Sequence, residues 1–151
     1  MLKRLASRPI YPFFFILFVN LGLLVANMDE IDPSLAVGPA AGLLLLAVGL
    51  YLLLRMLCKD GQYAGYLAFL ILFVFFSYGH LYNALATRLP GARGRFLPYA
   101  LLVVQAAALG GLGLRRVWRR LGGARLTPFL NLVFGFTLVS QAGIGLAALA
   151  E

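Results

Sequence analysis

The sequence predicts an all-α integral membrane protein, a bundle of about five transmembrane helices with no soluble domain. Three observations carry this. Hydrophobic residues make up 62% of the chain, well above an ordinary globular domain. Several apolar runs approach the roughly 20 residues that a bilayer core requires. Every stretch between those runs is too short to bury a core of its own.

The first run, residues 10–26, follows "MLKRLASRP". A basic start before an apolar stretch is similar to a signal peptide. The following "LLVANMDE" lacks a small-x-small cleavage site, so an uncleaved first helix is expected. The other runs cover residues 36–57, 63–85, 96–114 and 128–149. Pro9 and Pro128 stand at helix starts, where a missing N–H costs little. Pro39 and Pro98 fall in first turns. Pro12 would kink the first helix only if that helix begins before it.

Short-loop cations set the direction. With a cytoplasmic N-terminus, ten lie inside: Lys3, Arg4, Arg8, Arg55, Lys59, Arg115, Arg116, Arg119, Arg120 and Arg125. Three lie outside: Arg88, Arg93 and Arg95. Four of the five acids fall outside, all but Asp60. The expected topology is N-in and C-out, multi-pass, in a bacterial cytoplasmic (inner) membrane. The net charge of +8 is then topological and calls for no nucleic acid.

The catalogue of reactive groups is thin. One cysteine, Cys58, excludes an intrachain disulfide. One cysteine and one histidine, His80, exclude a structural zinc site within the chain, and no cofactor is expected. No Asp, Glu, Lys or Arg stands mid-run, which disfavours proton pumps and ion-coupled transporters. The mid-run polar residues Asn20, Gln105, Asn131, Ser140 and Gln141 are expected to join helices by hydrogen bonds. Gly38 and Gly42 of "GPAAG", the glycines of "LGGLGL", and Gly143 of "GIGLAA" are expected to let backbones approach other helices. No internal repeat supports an inverted-repeat transporter.

"RRVWRRLGGAR" at 115–125 is the densest charge cluster. Arg115 with Arg119, and Arg116 with Arg120, share helical faces four apart. The expectation is a cytoplasmic basic anchor, with Trp118 at headgroup level.

"SYGHLYN" at 77–83 ends the third run. Ser77, His80 and Asn83 form one helical stripe; Tyr78 and Tyr82 form the next. An aromatic belt at the interface is one reading. A haem ligand is another, but a lone histidine fills one axial position. The third is a polar dock at the outer surface. It would hold an anionic lipid headgroup or a partner domain, completed by Arg88, Arg93 and Arg95. The belt and the dock stay open.

"MLKRLASRPIYPFFF", an acidic first outer loop, "FFSYGHLYN", the basic loop before "RFLPYALL", and "RLTPFLNLV" together resemble the N-terminal membrane region of bacterial sulfatase-like proteins. These belong to the alkaline phosphatase superfamily, with relatives of lipoteichoic acid synthase and phosphoethanolamine transferases. The resemblance implies about five N-in spans before an extracytoplasmic catalytic domain. It carries no catalytic residue over, because the sequence stops at Glu151 and holds no cluster of Asp, His and Thr for a metal. The chain is therefore expected to be the anchor or docking half of such a protein, without activity alone. Its partners would be membrane lipids, anionic ones included, and an extracytoplasmic domain. Two alternatives remain: a small accessory subunit packing on partner membrane subunits through Gly-rich faces, and a small lipid or solute transporter.

Overall fold

A computed structural model of the chain describes residues 7–27, 30, 32–88 and 96–148. Among these residues there are six α-helices and no strand. They are α1 (Tyr11–Ala26), α2 (Val37–Cys58), α3 (Gly61–Arg88), α4 (Phe96–Leu112), α5 (Arg115–Arg120) and α6 (Leu126–Ala148). Short 3-10 turns, Pro33–Ala36 and Gly123–Arg125, lead into α2 and α6.

The prolines explain several starts. Pro12, Pro39, Pro98 and Pro128 each occupy the second or third position of a helix. There the N–H has no intrahelical acceptor, so its loss is tolerated. Because α1 begins at Tyr11, Pro12 sits in its first turn and gives no cause for a kink. The α2 helix ends when Lys59 takes a left-handed conformation, with φ 55°. Asp60 then starts α3, its Oδ1 accepting the N–H groups of Gln62 and Tyr63, both at 3.1 Å.

Helix α1 is the centre of the bundle. It packs most extensively on α6 and also lies on α2 and α3, while α4 packs along the outside of α3. The core joins Phe15 and Ile16 of α1 to Ala47 of α2 and Leu72 of α3. Phe15 meets Phe69 and Phe134 edge-on, with ring centroids 5.5 and 5.7 Å apart. Such pairs contribute about 0.5–1.5 kcal/mol beyond the area they bury. That matters in lipid, where the surroundings are as apolar as the core and packing must hold helices together.

Large apolar side chains also point outward. Leu45, Val103, Leu132 and Phe136 are each about two-thirds or more exposed. The segments Ser34–Cys58, Gly61–Arg88 and Gly123–Ala147 are long and apolar enough to cross a membrane. Helices α1 and α4, of 16 and 17 residues, are shorter. A helical bundle with an apolar exterior and three such helices fits a membrane protein.

Neighbouring side chains press closely on Gly65, which the spacing did not mark, and on Gly145 of "GIGLAA", where close approach is expected. A Cβ on Gly65 would collide with the ring of Pro9, and one on Gly145 would lie 3.0 Å from Val25 Cγ2. A Cβ on Gly38, Gly42 or Gly143 would meet nothing within 4 Å among the described residues.

Candidate functional site

The polar side chains gather at the two ends of the bundle. At one end meet the starts of α1, α3 and α6, the ends of α2 and α4, and all of α5. Three links fix this. Gln62 Nε2 donates to the Ser7 carbonyl at 3.1 Å. The Tyr63 hydroxyl donates to the Gly113 carbonyl at 2.5 Å. Asn131 Nδ2 donates to the Arg8 carbonyl at 2.7 Å.

Asn131 also accepts the N–H groups of Ile10 and Tyr11, at 3.0 and 2.8 Å. Ile10, at the N-cap position of α1, supplies no side-chain cap. The cap comes instead from α6, more than a hundred residues on, and ties α1 to α6 where their contact begins. The tyrosines do the converse for α4. Tyr63 and Tyr66 donate to the carbonyls of Gly113 and Leu112, groups that a helix C-terminus leaves without a partner.

The basic anchor is organised by these tyrosines. Trp118 is buried, its ring 4.8 Å from that of Tyr66. It pins α5 against α3. Arg115 bonds Asp60 Oδ2 at 3.1 Å and lies over the Tyr63 ring, 5.4 Å from its centroid. Arg116, Arg119 and Arg120 are exposed and, with Arg115, border an open hollow of about 410 Å³. Two buried hydroxyls, Tyr11 Oη and Thr127 Oγ1, have no hydrogen-bond partner among the described residues.

A second basic group forms only where helices meet. Arg8, Arg55 and Lys59 line one pocket of about 650 Å³ with Asp60, Tyr51 and Gln62. These residues come from the starts of α1 and α3 and the end of α2, so spacing along the chain could not reveal it. The readable part was Asp60 directly before Gly61, a helix-start pattern that places the beginning of α3.

At the far end the stripe of α3 is divided between two tasks. Ser77 Oγ donates to the Val74 carbonyl at 3.1 Å and accepts from Gln105 Nε2 of α4 at 3.3 Å. Gln105 also donates to Val74, at 3.1 Å. Tyr78 and Tyr82 stack with centroids 6.4 Å apart and pack on Leu97 and Leu101 of α4. His80 and Asn83 are exposed. Ser77 and His80 border an apolar groove of about 480 Å³ between α1 and α3, walled by Phe15, Phe18 and Phe76. Arg88, exposed, is the last residue of α3. Arg93 and Arg95 lie outside the described residues. Nearby, the Ser34 N–H donated to Asp32 holds that carboxyl below its usual range.

Searches against protein-family models, curated proteins and solved structures find no match for the chain. Among the described residues, no group of three His, Cys, Asp or Glu side chains is placed to hold a metal ion.

Proposed function

We propose that the chain is a multi-pass anchor of the bacterial cytoplasmic membrane, crossing it five times with its N-terminus cytoplasmic. The observation that carries this is the partition of charge. Arg8, Arg55, Lys59, Arg115, Arg116, Arg119, Arg120 and Arg125 gather at one end of the described bundle, and Arg88 stands at the other. Cytoplasmic loops hold such an excess. Helices α1 and α4, of 16 and 17 residues, rise about 24 and 26 Å, short of a hydrocarbon core of about 30 Å. Local thinning of the bilayer and snorkelling of flanking cations accommodate that difference.

In this orientation "SYGHLYN" and the loop of Arg88, Arg93 and Arg95 meet the outer surface. His80 and Asn83 are the exposed members of the stripe and would dock an anionic headgroup or an extracytoplasmic domain of the sulfatase-like kind. The sequence resemblance supports that role. The test of topology is a reporter fused after Glu151. Alkaline phosphatase should be active there and green fluorescent protein dark; a fluorescent fusion would mean an even number of crossings and sink the reading.

One observation favours a second reading, an accessory subunit of a larger membrane complex. Gly38, Gly42 and Gly49 share a face of α2 that nothing among the described residues covers. Partner helices are what such faces accept.

A further inference from the structure

We propose that the pocket formed by Arg8, Arg55 and Lys59 holds the phosphate of an anionic phospholipid, with the acyl chains lying down the outer face of α2. The site needs the bundle in a bilayer but not a particular orientation, so it stands or falls apart from the topology proposed above.

The charge of the pocket is unbalanced. Asp60 is the one carboxylate in its lining, and it is already engaged. One oxygen accepts two backbone N–H groups and the other bonds Arg115. The Arg115–Asp60 pair is also the only ion pair among the described residues, so the three lining cations have no carboxylate there. Their positions are set by the backbone. Gln62 holds Ser7, and Asn131 holds the Arg8 carbonyl, which brings Arg8 over the end of α2. Arg55, in the last turn of α2, and Lys59, its left-handed C-cap, border the same two hollows. The Tyr51 side chain adds a hydroxyl at the wall. Three cations and a hydroxyl around one opening suit a phosphate, which takes bidentate bonds from Arg and point-charge contact from Lys.

The shape distinguishes a lipid from a soluble anion. Arg55 and Lys59 also border a second hollow of about 490 Å³, whose other walls are Leu52 and Met56. Those two side chains are 49% and 76% exposed. Leu45 continues the same side of α2, 71% exposed. Cations above a continuous apolar face reproduce the order of headgroup and chains in one leaflet. Basic pockets between membrane helices take anionic headgroups in this way.

The test uses the purified full chain in detergent, stripped of lipid and offered phosphatidylglycerol and phosphatidylcholine in equal amounts, with retained lipid counted by native mass spectrometry. Wild type should keep phosphatidylglycerol in preference. Arg55→Gln with Lys59→Asn should lower its retention roughly tenfold or more, and Arg8→Gln alone about fivefold. Asn is chosen at 59 because it tolerates the left-handed backbone there. All three side chains are exposed, so helicity should persist; if the double variant does not fold, Arg8→Gln decides. Arg116→Gln with Arg120→Gln should leave retention unchanged. Equal loss in both double variants would reduce the site to a diffuse basic surface and overturn the proposal. No preference between the two lipids would overturn it as well. So would displacement of the lipid by inorganic phosphate or glycerol phosphate, which would assign the pocket to a soluble anion.

Discussion

The two ends of the bundle use polar side chains differently. At the basic end, polar groups reach between helices: Asn131 closes the start of α1, Tyr63 and Tyr66 close the end of α4, and Gln62 holds the segment before α1. At the far end the bonds among the described residues are mostly local. Asn27 donates to Leu23 and Thr87 to Ala84, each within one turn, and Asp32 accepts from Ser34 two residues on. Gln105 differs, reaching from α4 to α3. The difference teaches where the fold is clamped. The basic end joins α1, α3, α4 and α6 into one unit, whereas the far end leaves His80, Asn83 and Arg88 exposed for other contacts.

The largest effect is expected at the clamp. Asn131→Ala removes the acceptor of two N–H groups and the donor to Arg8. It should destabilise the protein in detergent by about 2–3 kcal/mol, the combined scale of a lost cap and orphaned backbone groups. Thermal unfolding followed by circular dichroism measures it. A melting temperature equal to wild type would remove the clamp from the argument.

Gly65→Ala comes next. Its new methyl meets the Pro9 ring, and overpacking of that kind costs about 1–3 kcal/mol. Gly42→Ala is its control. That Cβ points into open space, and alanine in a helix gains about 0.5–1 kcal/mol over glycine. Should Gly42→Ala instead destabilise the protein or split an oligomer on size exclusion, a partner helix covers α2, as the accessory-subunit reading requires.

The smallest effect belongs to the far end. Gln105→Leu breaks the bonds to Ser77 and Val74 but orphans neither, since Ser77 still donates to Val74. The expected loss is about 0.6 kcal/mol, typical of side-chain hydrogen bonds between membrane helices. A loss as large as that of Asn131→Ala would erase the contrast between the ends.

The helices themselves were legible in the sequence. Every bound of α1, α2, α3, α4 and α6 falls within three residues of an apolar run, because apolar length and first-turn prolines are local properties. Composition likewise fixed the all-helical class and the lack of charge inside the runs. The joining role was legible for Gln105 and Asn131, whereas Asn20, expected to do the same, donates to the Ile16 carbonyl within α1. Their partners were not legible. That Asn131 caps α1, that Trp118 turns inward onto Tyr66, and that Gly65 admits Pro9 while Gly42 meets nothing among the described residues all depend on which helix faces which. GxxxG spacing marks a smooth face but not what lies on it. The gathering of Arg8, Arg55 and Lys59 has the same origin. Each came as part of an expected topological charge, and only the antiparallel meeting of α1, α2 and α3 put them around one opening. Sequence fixes what each helix offers along its own axis; contact between helices is set by packing across the bundle, which no local spacing encodes.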